Sequence, residues 1–346
     1  MPLTESTFRP HPLLANGHVQ TIWPVLLPHG ICIPWVQERL ELGDGDFLDL
    51  NWLRHPAGHG SGRLVVLSHG LEGSADGLYI RTMAAALHKK GWEVLAWNFR
   101  GCSSEPNRLL RSYHSGESQD LRTLIEAKAG DYDQVALVGF SLGGNITLKY
   151  LGEQPPHPKV AAGAAISSPV DLAASARTLD QLWSNKLYLH RFLVSLIAKI
   201  EEKHQRFPGK LDVRGLHRIR TFREFDDRYT APLHGFADAA DYWARCSSKP
   251  LLPRISVPAL IISARNDPFL PAECFPFAEA EANALIELDV PASGGHVGFV
   301  ESNYSTTSWL EGRVAGFLDR ALGPCKTIAG ATNMFIPPPP FFERQK

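Results

Sequence analysis

Gly139-Phe-Ser-Leu-Gly143, followed by Gly144, is the segment whose residue types and spacing speak most directly of chemistry. It follows the apolar run Val135–Val138 and opens a helix-type stretch through Leu148 to Leu151, the strand–turn–helix setting of a nucleophile elbow. The glycines are needed because such a turn is too tight for side chains, and Ser141 is left exposed at the end of a strand. A hydroxyl is a weak nucleophile that needs a base, and the base needs an orienting acid. His296, in the glycine-rich Ser293-Gly-Gly-His-Val-Gly298 after the strand-type Ile286–Val290, stands where the base of a Ser–Asp–His chain order belongs. Asp267, in Ser263-Ala-Arg-Asn-Asp-Pro268 after the run Ala259–Ile262, is the expected acid. Asp289 is its rival, but ends a strand too close to the His296 loop. An oxyanion hole completes the set: the N–H of Leu142, next after the nucleophile, and that of Leu71 in Ser68-His-Gly-Leu-Glu-Gly-Ser74, which follows an early buried run. Together these residues describe acyl transfer through a serine.

The elements needed to hold them are legible as an alternation. Arg39–Leu42 and Phe47–Leu53 alternate apolar and polar residues around Gly43-Asp-Gly-Asp46, which predicts an N-terminal antiparallel hairpin. The runs Leu64–Leu67, Val94–Trp97, Val135–Val138 and Ala259–Ile262 suit strands buried on both faces. Helical spacing links Tyr79, Met83 and Leu87, then Leu121, Leu124 and Ile125, and Leu310, Val314, Phe317 and Ala321 within 305–322. The expected fold class is therefore α/β, the α/β-hydrolase fold: a mostly parallel, doubly wound sheet in a single domain of 1–346. The stretch 169–252 breaks the rhythm and is expected as an inserted helical cap. Its histidines His190, His204, His217 and His234 read as contacts within it. Residues 330–346 hold Ile336-Pro-Pro-Pro-Pro-Phe-Phe342, a Pro-rich C-terminal tail.

Composition narrows the class. The 346 residues are 44% hydrophobic and 21% charged with a formal net charge of -1, so no basic block suits nucleic acid. Five scattered cysteines with no CxxC pair fit neither a disulfide framework nor a zinc site, and point to reduced thiols in a cytoplasmic protein. No signal peptide opens the chain, and apolar runs such as Phe192–Ile200 fall short of the roughly 20 residues of a membrane span. No stable membrane anchor is expected, only transient contact with a lipid surface.

Other motifs carry both a functional and a structural reading. His69, Tyr113 and His114 are candidates for the pocket or its rim, while Tyr113-His-Ser115 also reads as a loop packed beneath the nucleophile turn. Phe225-Asp-Asp227 cannot aim two neighbouring carboxylates at one site and is expected to anchor the cap. Arg100, in Asn98-Phe-Arg-Gly101, is expected to brace the rim through a carboxylate. Phe192–Ile200 suits packing on the core or a lipid surface.

Taken together, Asn16-Gly-His-Val-Gln-Thr21, His69-Gly-Leu-Glu-Gly73, Asn98-Phe-Arg-Gly101, Tyr113-His-Ser-Gly116, Gly139–Gly144, Phe225-Asp-Asp227, Asn266-Asp-Pro268 and Gly295-His296 resemble the YheT branch of the α/β-hydrolases. That branch is related to ABHD1/ABHD3-type esterases and lipases, and the resemblance spans nearly the whole chain. It implies a serine hydrolase of carboxylic esters, acting on short acyl esters or monoacylglycerols through Ser141, Asp267 and His296 without metal or cofactor. The N-terminal membrane anchor of the eukaryotic relatives is not expected here. An acyltransferase or a thioesterase would use the same residues, and a binding module without catalysis is the alternative from another class.

Overall fold

A computed structural model of the chain describes residues 3–26, 31–55, 62–301 and 308–323. The Pro-rich segment 330–346 lies outside the described residues. The strands are β1 (Leu3–Thr4), β2 (Val36–Glu41), β3 (Phe47–Leu53), β4 (Arg63–Ser68), β5 (Glu93–Trp97), β6 (Gln134–Phe140), β7 (Val160–Ile166), β8 (Ala259–Ile262) and β9 (Ile286–Asp289). Helices of eight residues or more are α1 (Gly17–Leu26), α2 (Leu78–Lys89), α3 (Ser118–Lys128), α4 (Leu142–Glu153), α5 (Leu172–Gln181), α6 (Lys186–Arg206), α7 (Ala239–Cys246) and α8 (Trp309–Leu322).

All nine strands form one sheet in the order β1-β9-β8-β7-β6-β4-β5-β3-β2. Every pairing from β1 to β5 is parallel. β3 and β2 add the antiparallel edge, with Val36 opposite Trp52 and Glu41 opposite Phe47, as the alternating pattern around Gly43–Asp46 requires. The apolar runs are buried on both faces because helices cover both. One core lies under α2 and α8 and contains Met83, Leu87, Val314 and Phe317. The other lies under α3 and α4 and continues into α5, α6 and α7. This is the α/β-hydrolase arrangement.

One central strand escapes the sequence pattern. β7 reads Val-Ala-Ala-Gly-Ala-Ala-Ile, with only alanine and glycine between its ends where its neighbours carry valine, leucine or isoleucine. Its small residues are imposed from outside the strand, because α4 lies close above it. A Cβ on Gly163 would come within 2.6 Å of Leu151 Cδ1.

Between β7 and β8 the described chain forms helices and turns but no strand. This is the stretch expected as a cap. α5 begins on an Asp171 cap, whose carboxylate accepts the Ala174 N–H at 2.9 Å. α6 buries Leu189, Leu193, Ile197 and Ile200 along one side at helical spacing. Among the described residues no helix is long and apolar enough to cross a membrane. Cys32, Cys102, Cys246 and Cys274 are free, and Cys325 falls outside the described residues.

Candidate active site

Ser141 sits between β6 and α4 with φ 51° and ψ -119°, a backbone conformation that costs a non-glycine residue roughly 1–3 kcal/mol. Two flanking glycines make this turn possible. A Cβ on Gly139 would lie 2.2 Å from the Gly143 carbonyl oxygen, and one on Gly143 would lie 2.4 Å from the carbonyl oxygens of both Ser68 and His69. The strain is held by packing and by hydrogen bonds. The Ser141 N–H donates to Ile166 O at 2.8 Å, and the Asn145 N–H donates to Ser141 O at 3.1 Å.

His296 and Asp267 reach Ser141 from the ends of neighbouring strands. The His296 Nδ1–H donates to Asp267 Oδ2 at 2.8 Å, and the Ser141 hydroxyl donates to His296 Nε2 at 2.9 Å. The carboxylate can only accept, so the tautomer follows from it. The second oxygen, Asp267 Oδ1, accepts the Phe269 N–H at 2.8 Å, which fixes the rotation of the carboxylate. The Asp267 side chain is fully buried, and the Phe269 ring packs 4.2 Å from the imidazole. Asp289 points away and pairs with Arg313 Nε on α8 at 2.7 Å.

The His296 loop is held by the N-terminal segment, and sequence reasoning gave that segment no task. The His296 N–H donates to Thr21 Oγ1 at 2.9 Å. Gln20 is buried and bonds Val300 twice: its Nε2 donates to Val300 O at 3.1 Å, and its Oε1 accepts the Val300 N–H at 2.6 Å. Asn266 Oδ1 accepts the Gly295 N–H at 3.0 Å, and Ser167 Oγ accepts the Val297 N–H at 3.0 Å. Val297 and Phe299 both have positive φ, 61° and 44°, as do Glu72 and Ser167. Backbone strain among the described residues is thus concentrated around Ser141. The only early signal of this support was that Asn16–Thr21 belongs to no generic hydrolase signature.

The loop after β4 faces the serine from the other side. Three of its four consecutive amides are in use. Gly70 N–H donates to Tyr79 Oη at 2.9 Å, Glu72 N–H to Tyr113 Oη at 2.9 Å, and Gly73 N–H to Gly70 O at 3.0 Å. The amide of Leu71 has no such partner among the described residues, and Leu71, Ser141, Leu142 and His296 all line one cavity of about 90 Å³. Leu142 is the first residue of α4, where helix N–H groups lack intrahelical acceptors.

Glu72 is a second feature that the sequence did not disclose. Its carboxylate is nearly buried and gathers Tyr113 Oη at 2.7 Å, Lys199 Nζ at 2.7 Å and the Ser195 hydroxyl. Ser195 and Lys199 belong to α6, so the Leu71 loop is bonded directly to the helices above it. α5 holds the acid loop in the same way, with Ser175 Oγ donating to Phe269 O at 3.0 Å.

The rim candidates lie elsewhere. His69 is fully buried: its Nε2 accepts the Phe99 N–H at 3.2 Å, so its Nδ1–H donates to Gly70 O at 2.7 Å. Burial pushes its pKa down to about 4, leaving a neutral ring that braces the loop from behind. Tyr113 supports Glu72 and is pushed well above its ordinary pKa by burial and by that carboxylate. His114 packs among His234, Phe236 and Tyr242, and burial, with the charges of His234 and Lys149, holds it well below its ordinary value. None of the three lines the cavity. Polar residues close to a reactive centre in sequence serve here as buried struts, and it is Ser115 and Tyr242 that reach the wall.

Arg100 also corrects an expectation. It is buried, with a two-pronged pair to Asp120 at 2.6 and 2.8 Å and contacts to Asp46 and Asp44, so it braces the β2–β3 turn against α3 rather than the rim. Phe225-Asp-Asp227 ties the helices above the sheet together: Trp243 Nε1 donates to Asp226 Oδ2 at 2.9 Å and Ala239 N–H to Asp227 Oδ1 at 2.8 Å. Asp226 also reaches the cavity wall. Among the described residues no three His, Cys, Asp or Glu side chains gather as a metal ion would need. A larger cleft of about 390 Å³, lined by Arg177, Arg223, Trp243 and Lys249 among others, contains none of Ser141, Asp267 or His296.

Comparison with known proteins places this arrangement. The putative esterase YheT of Escherichia coli is 37% identical over 91% of this chain and 94% of its own. The phospholipase ABHD3 of Bos taurus is 26% identical over 88% of this chain and 78% of its own. Among solved structures, the α/β-hydrolase GrgF of Penicillium sp. sh18 superposes with a TM-score of 0.56 at 17% identity, covering 83% of this chain and 99% of that one, a likeness of fold alone. The sequence profile described as the alpha/beta hydrolase fold matches residues 63–302, the span that runs from β4 through His296. On that match and the YheT similarity, the chain belongs to the α/β-hydrolase family and is an enzyme of the hydrolase class.

Proposed function

We propose that the chain hydrolyses carboxylic esters through an acyl-enzyme on Ser141. The observation that carries this reading is the position of His296, whose two ring nitrogens bridge Ser141 Oγ and Asp267 Oδ2 at 2.9 and 2.8 Å. As Ser141 Oγ attacks the ester carbonyl carbon, its proton passes to His296 Nε2. Asp267 stays ionised, holds the Nδ1–H and stabilises the imidazolium. The carbonyl oxygen becomes an oxyanion between the N–H groups of Leu71 and Leu142, and losing one such donor raises the barrier by about 3–4 kcal/mol. The tetrahedral adduct collapses as His296 Nε2 returns the proton to the departing alcohol. Water then repeats the sequence: it gives a proton to His296, attacks the acyl carbon, and releases the acid as Ser141 Oγ takes the proton back.

The cavity favours small acyl groups. At about 90 Å³ it is small beside the roughly 300–1,000 Å³ of sites that take drug-sized ligands. Leu172, Leu179, Phe192 and Phe222 make most of the wall apolar, which suits a hydrocarbon chain and excludes a charged one. The relatives named esterase and phospholipase support an ester or lipid-like substrate.

A fluorophosphonate probe combined with p-nitrophenyl esters from acetyl to palmitoyl tests the reading. Labelling at Ser141, loss of turnover in Ser141→Ala and a maximum at short chains are expected. Full activity in Ser141→Ala would end the proposal. Adding an alcohol or thiol acceptor and analysing products by mass separates hydrolysis from acyl transfer.

A further inference from the structure

α6 has two dissimilar long faces. The face bearing Leu189, Leu193, Ile197 and Ile200 is buried in the core. The opposite face carries Leu187, 71% exposed, and Val194, 54% exposed, in line with Trp183, 88% exposed, in the turn just before the helix. Residues 187, 190, 191, 194 and 198 fall on one stripe of a 3.6-residue helix, and Trp183 precedes them in a short 3-10 turn. Between the apolar members of that stripe stand His190 and Arg191, with Lys186 at its edge, all exposed. No Asp or Glu occurs from 181 to 200, although Asp180 stands just before and its backbone carbonyl accepts a hydrogen bond from Lys186 Nζ. Exposed single apolar side chains are ordinary, but Trp183, Leu187 and Val194 stand exposed within twelve residues of chain with His190 and Arg191 between the last two.

The patch lies on the roof of the cavity. Phe192, on the same helix, lines the cavity wall. Tyr188, one turn earlier, packs its ring edge-on to Phe269 at 4.8 Å and stacks on His18 of α1 at 5.8 Å. Phe269 in turn contacts His296. α1 also ends in exposed apolar residues, Val25 and Leu26. The elements that meet beside Phe269 are therefore those that present apolar surface to solvent.

We propose that the outer face of α6, built on Trp183, Leu187, Val194, Lys186 and Arg191, docks the protein on an anionic lipid–water interface with the cavity held against it. A helix that lies in an interface plane combines Trp and Leu on its buried side with Lys and Arg at headgroup level, as this stripe does. Charge separates this partner from a second copy of the chain. In a two-fold contact the patch meets itself, so its cations would face a surface that offers no carboxylate from residues 181 to 200, whereas anionic headgroups neutralise them. The proposal rests on the ester-hydrolase reading for its purpose but not for the binding itself.

The test uses the full chain carrying Ser141→Ala, so that no lipid is consumed, sedimented with vesicles of phosphatidylcholine alone or with about a third phosphatidylglycerol. Binding to the anionic vesicles is expected, weakened by salt, and reduced at least tenfold by Trp183→Ser/Leu187→Ser. Lys186→Gln/Arg191→Gln should bind less tightly and with little salt dependence. With Ser141 intact, both pairs of substitutions should leave turnover of soluble p-nitrophenyl acetate unchanged, which also shows that they fold. The proposal is overturned if the protein stays in the supernatant, if Trp183→Ser/Leu187→Ser binds as well as the parent, or if the parent is a dimer that this pair dissociates. Vesicle binding without any ester turnover would end the hydrolase reading and leave the docking surface standing.

Discussion

Glu72 Oε1 accepts a hydrogen bond from Lys199 Nζ at 2.7 Å, and with the Ser195 hydroxyl on the same carboxylate this contact ties the loop carrying the Leu71 amide to the helix that roofs the cavity. Glu72→Gln keeps an acceptor but loses the charge that gathers Lys199, Tyr113 and Ser195. It should lower kcat about tenfold with little change in KM, because the oxyanion donor shifts while the cavity wall remains. Lys199→Met strands a carboxylate, which costs about 3 kcal/mol when both partners are buried, and less here because the Lys199 side chain is a quarter exposed. In the double variant the two losses should sum to less than their parts. Urea melts and steady-state kinetics on the four proteins check both statements, and strict additivity would show that the pair does not act as one.

Thr21 sits 275 residues from His296 in the sequence and accepts its backbone N–H. Thr21→Val removes that acceptor while conserving shape, leaving a partly buried donor unpaired at a cost of about 1–3 kcal/mol. The expected result is a ten- to hundredfold fall in kcat at nearly constant KM, since small displacements of a base are costly. Thr21→Ser should restore most of the rate. Equal defects in the valine and serine variants would assign Thr21 to packing alone.

Asp226 supplies a pH signature. Burial raises its pKa to about 7, against the opposing hydrogen bonds of Thr230 and Trp243. An unfolded aspartate titrates near 3.9. Between those two values the folded protein holds a proton that the unfolded chain has released, so stability falls as pH rises from about 4 to 7 and stays reduced above it. Asp226→Asn remains neutral and keeps an acceptor for Trp243 Nε1. Its melting temperature should exceed that of the parent by several degrees at about pH 8 and by much less at about pH 5. A gap that does not change with pH would place the proton elsewhere.

How much of this could be read from the chain depended on how local the cause was. Ser141 was legible because the elbow demands glycine on both sides within five residues, and Asp267 and His296 because each follows a recognisable strand in a set order. The hairpin and four of the buried strands announced themselves by period and run length. β7 did not, because its residues answer to the packing of α4 rather than to strand propensity. Thr21, Gln20, Ser195 and Lys199 were invisible for a related reason: their partners lie 123 to 280 residues away, and nothing in their own neighbourhoods records the contact. His69, Tyr113 and His114 were read as rim residues because titratable side chains near a nucleophile suggest chemistry. Burial, which turns them into struts, is a property of the packed molecule.

α6 places Phe192 in the cavity wall and, within two turns, Ser195 and Lys199 on Glu72. In the proposed mechanism, fit to the acyl group and the aim of the Leu71 amide at the oxyanion are therefore set by one rod. An acyl group that leaves the wall unsatisfied disturbs the same helix that steadies the transition state, so a poor substrate is penalised in turnover and not only in affinity. Discrimination of this kind persists when substrate is saturating, where a pocket that merely bound weakly would have lost its selectivity.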